Sequence, residues 1–308
     1  MSTGYQNRDA AIVDYQLWQP GGTNDWLRGP PPPSLAAGSY VACVGAAQTF
    51  GCLVRDPWPA QLGRELGLPT LNLGLAGAGP ARFRREPWRQ LLAGARVVVF
   101  QVLSGRSADC PRFRSDGGER LQLADGRRLG ADAAWRELLQ ADLAGVTSPV
   151  WRGLRNRWQA WFGRREVRRL VAATRQDWLA QFTALLQETR APKVLLWWSR
   201  RRPHYRARYH SLPALFGEYP QLVDASMVAA LRPHADDYVQ CVTRAGSPEP
   251  LFDRHTGSPT TVQPAAAGTG EPPDLRWTHN AYYPSQAMHE ACAAALREPV
   301  RRLLARRH

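Results

Sequence analysis

The feature that most constrains this chain is a recurring alternation of short apolar, β-branched runs with segments of helical spacing. The runs lie at 39–44 (Ser-Tyr-Val-Ala-Cys-Val), 70–73 (Thr-Leu-Asn-Leu), 96–103 (Arg-Val-Val-Val-Phe-Gln-Val-Leu), 193–198 (Lys-Val-Leu-Leu-Trp-Trp) and 238–243. Each is almost continuously apolar, where a strand with one wet face would alternate with polar residues. Such strands are buried on both faces. Between them, 59–66, 88–93, about 166–189, 222–231 and 285–305 carry helical spacing, and Gly67 closes the first. Strand and helix in turn imply a parallel sheet covered on both sides.

Five strands of this kind predict a flavodoxin-like three-layer α/β sandwich with a mainly parallel sheet. Ligands of that architecture sit outside the carboxyl ends of the strands, so the informative segments are 45–51, 74–80, 104–107, 199–205 and 244–246. Two stretches break the rhythm. Residues 1–37, ending in Pro30-Pro31-Pro32-Pro33, read as an irregular arm packed partly over a domain that spans 38–308. Residues 108–165 read as a helical insertion. Within it, Trp151, Leu154, Trp158 and Trp161 recur at helical spacing with arginines between them, the pattern of an amphipathic lid helix. Residues 246–275, rich in Gly, Pro, Ser and Thr, read as a long loop.

Composition narrows the class. Of 308 residues 44% are hydrophobic, enough for a large core, and the formal net charge is +14. The basic residues are nearly all arginine, spread along the chain, and Lys193 is the one lysine. No nucleic-acid motif accompanies them, so nucleic acid is not the expected partner; a basic nucleic-acid-binding protein stays as an alternative, one whose affinity would fall steeply with salt. No run of 18 apolar residues suggests a transmembrane helix, and the polar start lacks a secretory h-region. The expectation is a protein of the bacterial cytoplasm. Five widely spaced cysteines without a Cys-x-x-Cys pair give neither a disulfide framework nor a zinc site, and no metal or cofactor is expected.

The strand-end segments carry a resemblance. Gly45-Ala-Ala-Gln-Thr-Phe-Gly51 after the first strand, Asn72-Leu-Gly74 after the second, Ser104-Gly-Arg-Ser107 after the third and Asn280-Ala-Tyr-Tyr-Pro284 before the last helix resemble, in order and spacing, the four blocks of the SGNH (GDSL-type) hydrolases. The whole set, with Gly77-Ala-Gly-Pro80 and Gln101-Val-Leu-Ser104, also looks like a bacterial domain family that occurs around surface-polysaccharide and sulfotransferase genes and has no assigned activity. The hydrolase resemblance places Ala47 at the nucleophilic serine, Ser107 at the oxyanion-hole asparagine, Asn280 at the orienting aspartate and Tyr283 at the general-base histidine. Alanine has no nucleophilic atom, a phenol titrates about three units too high, and an amide cannot stabilise an imidazolium. Ordinary serine-histidine hydrolysis is therefore not expected.

The expected function is binding of an anionic or carbohydrate-like small molecule in the strand-end crevice. The residues expected there are Gln48, Thr49, Asn72, Gly74, Ser104, Arg106, Asn280 and Tyr283. The glycine turn 74–80 offers backbone amides to an oxyanion; a tight strand-helix turn explains it equally well. Arg106 offers a fork for a carboxylate, sulfate or phosphate, or pairs with a loop carboxylate. Arg200, Arg201 and Arg202 either raise positive potential over the crevice or form a solvated loop. The alternative is an active carbohydrate esterase or acyltransferase with a relocated nucleophile. It would draw on Ser104, Ser107 or Ser199 with His204, His279 or His289 as base.

Overall fold

In the computed structural model the residues described are 8–144, 152–209, 211–263 and 275–306, without the side chains of 140–144 and 152–164. The chain runs β1 (Val41–Gly45), α1 (Ala47–Phe50), α2 (Trp58–Leu66), β2 (Thr70–Gly74), α3 (Pro80–Phe83), α4 (Trp88–Ala93) and β3 (Val97–Gln101). Three short strands follow, β4 (Phe113–Ser115), β5 (Arg120–Leu123) and β6 (Arg128–Gly130), then α5 (Ala131–Ala144) and α6 (Arg152–Glu188). The final third is β7 (Lys193–Ser199), α7 (Leu212–Phe216), α8 (Ala225–Leu231), β8 (Asp237–Val242), β9 (Glu249–Pro250), β10 (His279–Asn280) and α9 (Gln286–Ala305).

The five apolar runs form one parallel sheet in the order β2-β1-β3-β7-β8. This is the doubly wound order, and its reversal point lies between β1 and β3. Strand periodicity divides the core in two. Ala42, Val44, Val98, Phe100 and Trp197 face one layer with Trp178 and Phe182 of α6 and Leu231 of α8. Val41, Cys43, Val97, Val99 and Trp198 face the other, with Trp58 of α2 and Met288, Cys292, Leu296 and Val300 of α9. The four-residue spacing on α9 aligns those side chains in one stripe. The helix starts where Ser285 Oγ accepts the Met288 N–H at 3.2 Å. Each large side chain taken out of water here contributes about 1.5–3 kcal/mol before the cost of ordering it.

The insertion departs from its sequence reading. Besides helices it holds the antiparallel sheet β4-β5-β6. Its apolar centre of Phe113, Leu121 and Trp135 packs on Val167, Leu170 and Val171 of α6 and on Leu215 and Phe216 of α7. The long helix, expected from about 166, begins at Arg152. Residues 152–165 are thus the first turns of a helix of 37 residues, about 55 Å long. The side chains on which the lid reading rests lie outside the described residues. In the segment expected as a long loop, β9 pairs with β10, and Phe252–Pro259 and Val262–Trp277 add single bridges.

The N-terminal segment packs over the end of β1. Ile12, Val13 and Tyr15 are buried with Phe50, Cys52, Leu53 and Tyr283. Arg28 is 4% exposed. Its guanidinium donates to the carbonyls of Gly51 (2.6 Å), Val54 (2.8 Å) and Arg55 (2.8 Å), and lies over the Tyr15 ring. The negative end of α1 and its following turn is where a cation is favourable.

Candidate functional site: a cavity at the strand ends

Where β1 turns into α1, Thr49 points inward and its hydroxyl donates to Gln101 Oε1 at 2.7 Å. Asn72 Nδ2 donates to the Thr49 carbonyl at 3.1 Å, and Asn72 Oδ1 accepts the Gly74 N–H at 2.9 Å. The two glycines of these blocks are required by close approach. A Cβ on Gly45 would stand 1.9 Å from Thr49 Oγ1, and one on Gly74 would stand 2.1 Å from the Phe50 nitrogen. Thr49, Asn72 and Gly74 therefore come together, but as the fastening of α1 onto β2 and β3. The Gly74 amide already has an acceptor.

Asn280 is fully buried and holds the turn into α9: its Oδ1 accepts the Tyr283 N–H at 2.9 Å. The Tyr283 ring lies in the apolar group under Ile12, Val13 and Tyr15, with Ala47 packed against that group. Burial holds its phenol well above the ordinary tyrosine value. The positions that the hydrolase resemblance gives to nucleophile and base are filled with apolar contacts.

The remaining candidates have other partners or lie apart. Arg106 pairs with Asp132 at 2.5 Å and Glu119 at 3.3 Å, and its carbonyl accepts from Trp135 Nε1 at 2.9 Å. It anchors the insertion, the loop-carboxylate alternative. Ser104 Oγ accepts the Arg106 N–H at 3.3 Å. Ser107 is buried. His204 and His279 are exposed, the latter on β10 with Thr278 Oγ1 3.0 Å from its Nδ1. His289 is fully buried. Its Nδ1 accepts the Trp58 N–H at 3.0 Å, and burial, then the Arg28 charge, holds it neutral with a pKa well below the usual value.

Beside this filled locus a cavity of about 230 Å³ opens at the ends of β1 and β7. Gln48 borders it from α1, Trp198 and Ser199 from β7, Tyr219 and Gln221 from the α7–α8 connection, and Tyr282 from the turn before α9. Four of these carry a buried polar atom with no hydrogen-bond partner: Gln48 Oε1, Trp198 Nε1, Tyr219 Oη and Gln221 Oε1. Such groups ordinarily find a partner. Ser199 Oγ is engaged, donating to the Tyr219 carbonyl at 2.6 Å and accepting the Arg201 N–H at 3.0 Å. Arg200 donates to the carbonyls of Ala281 (2.6 Å) and Tyr283 (2.9 Å), tying the α9 turn to β7. Arg201 donates to the carbonyls of Glu218, Pro220 and Val223, and burial pushes it down to about 10. Arg200 and Arg201, two of the three arginines expected to charge the crevice, thus serve as staples of its wall, while Arg202 is exposed. Of the eight expected ligand residues Gln48 borders this cavity, while Gly74 borders a separate hollow with Asp25, Arg82 and Glu119.

Sequence reasoning passed over Trp198, Tyr219, Gln221 and Tyr282. Trp198 reads as the last core residue of a strand, and Tyr219 and Gln221 lie some twenty residues beyond any strand end. The doubled tyrosine beside Asn280 was the available signal. Among the described residues, no group of three or more His, Cys, Asp or Glu side chains could hold a metal ion, and no helix is long and apolar enough to cross a membrane.

A family model described as a domain of unknown function, DUF6473, matches residues 1–113 and 161–304. The chain belongs to the DUF6473 family. The DUF6473 match includes the N-terminal segment that packs over the end of β1 and omits most of the insertion. No curated protein matches the chain. Among solved structures it is similar to a possible lipase from Chitinophaga pinensis (13% identity, 86% of this chain and 98% of that one, TM-score 0.41). A carbohydrate acetylesterase family member from Sinorhizobium meliloti is similar at 13% identity, 87% and 100% coverage and TM-score 0.37. A protein from Lactobacillus plantarum is similar at 11% identity, 87% and 98% coverage and TM-score 0.39.

Proposed function

We propose that this DUF6473 protein binds a neutral, polyhydroxylated small molecule of carbohydrate type in the strand-end cavity, and that it carries out no ordinary serine-ester hydrolysis. The observation that carries the reading is the set of four unpartnered buried polar atoms on the residues that border one cavity. Leaving such an atom without a partner costs about 1–3 kcal/mol. A sugar hydroxyl both donates and accepts, so a ring that these side chains turn to meet would supply hydrogens to Gln48 Oε1 and Gln221 Oε1 and an acceptor to Trp198 Nε1. Tyr282, exposed at the cavity's edge, offers an aromatic ring for apolar contact with the C–H face of a sugar. At about 230 Å³ the cavity falls below the range of about 300–1,000 Å³ that holds drug-sized ligands, which favours a single ring.

Charge argues for a neutral ligand over an anionic one at this place. The donors of Arg200 and Arg201 go to carbonyls, and Arg106 goes to two carboxylates. Against a relocated nucleophile, Ser199 borders the cavity with its hydroxyl held by the Tyr219 carbonyl, and among the described residues no histidine borders the cavity with it. The test is saturation-transfer NMR with glucose, galactose, mannose and N-acetylglucosamine, alongside p-nitrophenyl acetate hydrolysis and labelling by a fluorophosphonate. Transfer from at least one sugar that is lost in Gln48→Leu/Gln221→Leu, with ester hydrolysis at the buffer rate and no serine labelled, is the expected result. Sugar signals absent throughout, or a labelled serine with turnover, would overturn it.

A further inference from the structure

We infer that a second, separate site on this protein takes a small molecule bearing a phosphoryl dianion or pyrophosphate, in a basin between α6 and the loop that follows β7. The basin encloses about 570 Å³ and is bordered by Arg168, Arg175, Arg206, Arg208, Tyr205 and Tyr209, with Asp224 as its carboxylate. Arg168 and Arg175 stand seven residues apart on α6, two turns and therefore on one face. Arg206 and Arg208 come from the loop opposite, whose backbone is fixed where the Arg208 N–H donates to the Ala214 carbonyl at 2.9 Å.

The guanidinium groups are ordered from beneath. Arg168 lies over the Tyr209 ring at 5.1 Å, and Arg175 over the Tyr205 ring at 6.0 Å. Tyr205 is itself fixed by its hydroxyl, which donates to the Leu215 carbonyl. The acid that borders the basin is Asp224: its Oδ1 accepts from Ser226 and Met227 at the start of α8, and its Oδ2 pairs with Arg175 at 3.2 Å, which offsets that one charge and leaves those of Arg168, Arg206 and Arg208. Arg175 Nη2 is buried without a partner. Among the described residues no carboxylate pairs with Arg168, Arg206 or Arg208. Several like charges held around one hollow repel unless an anion joins them, and planar forks match the oxygens of a phosphoryl group. The basin and the strand-end cavity have no bordering residue in common, the Tyr205 ring of the one lying against Gly217 of the other, so substitutions test the two sites separately.

Equilibrium titration of the full chain at low and at physiological salt, with inorganic phosphate, sulfate, pyrophosphate, glucose 6-phosphate and ADP, tests the inference. Pyrophosphate or a phosphate ester binds more tightly than sulfate. Arg206→Ala/Arg208→Ala weakens it at least tenfold, and Arg206→Lys/Arg208→Lys weakens it by a smaller factor because charge remains while the fork is lost. Ranking glucose 6-phosphate against ADP and inorganic phosphate tells which carrier the basin prefers. A control pair, Arg301→Ala/Arg302→Ala on α9, removes the same charge and leaves the affinity within twofold. Equal weakening by both pairs, preference for a short RNA oligomer that follows net charge alone, or no binding of any of these anions would overturn it. Thermal melting of each variant confirms that it is folded.

Discussion

At the end of β1 two adjoining regions are built in opposite ways. Around Ala47 and Tyr283 the residues that the hydrolase resemblance assigns to chemistry sit in an apolar group closed over by Ile12, Val13 and Tyr15. Next to it, Gln48 and Tyr282, the immediate neighbours of those two residues, border a cavity where four polar atoms lack partners. The same two turns thus present one side chain to a core and the next to a hollow. A protein gains stability from the first arrangement and gives some up in the second. Substitutions should therefore separate cleanly: those in the filled region act on folding, those in the open region act on binding.

The largest effect is expected at Arg28. Arg28→Met removes a buried cation that serves carbonyls of Gly51, Val54 and Arg55, leaving buried acceptors without donors. A loss of about 3–5 kcal/mol in urea unfolding is expected, with sugar binding by the folded fraction unchanged. A loss below about 1 kcal/mol would mean that the roof over the end of β1 is not held from this point.

His289 lies at the boundary, its ring edge-on to Trp198 at 4.7 Å between centroids and its Nδ1 on the backbone N–H that opens α2. Its folded pKa is depressed by burial and then by Arg28. Above about 6.5 the ring is neutral in both folded and unfolded chains and contributes no pH dependence. Below that, the unfolded chain takes up a proton that the folded one refuses, so stability falls as pH falls, by up to about 1.4 kcal/mol per unit. Glu249, raised by burial, acts in the opposite sense and is common to both proteins compared. The slope of stability between pH 6.5 and 5 should be shallower by nearly one proton in His289→Asn. Equal slopes would show that the ring is charged or solvated in the fold.

A smaller effect with two signs sharpens the comparison further. Tyr219→Phe deletes an unpartnered buried hydroxyl, so folding stability should hold or rise by up to about 1 kcal/mol, while sugar affinity drops about five- to tenfold. Loss of both together would identify Tyr219 as an ordinary core residue.

These contrasts also mark what the sequence could and could not reveal. The sheet was legible because 41–44, 97–100 and 194–198 are apolar at every position, which leaves no wet face for any other arrangement. The insertion was not, because β4, β5 and β6 are three or four residues long and mostly polar outward, and their one dry side depends on α6 and α7. In the crevice, Thr49, Asn72 and Asn280 have the composition of ligand contacts, yet each hydrogen bonds the backbone or side chain of a neighbouring block. Whether a polar residue beside a glycine serves a ligand or the fold is decided by partners far along the chain, as with Gln101 for Thr49. Trp198 and Tyr219 are the reverse: side chains of core type whose polar atoms have no partner inside the protein.

The smallest effect is expected where the resemblance to a hydrolase is strongest. Ala47→Ser, alone or with Tyr283→His, should leave p-nitrophenyl acetate hydrolysis at the rate of the unmodified protein. A serine at 47 stands against the apolar group of Phe50 and Tyr283. A histidine at 283 would be buried and hence neutral, and Asn280 Oδ1, which already accepts the backbone N–H of that residue, is not free to orient the ring. The Gly74 amide, which such a site would need for its oxyanion, donates to Asn72. Preorganised donors account for a large share of acyl-transfer catalysis, and a nucleophile without them and without an oriented base has little to act through. Removing the roof tests the same point from the other side. If Ala47→Ser/Tyr283→His gained turnover when Ile12 and Val13 were both changed to Ser, the filled region would be a covered active site, and the separation between a folding half and a binding half would not hold.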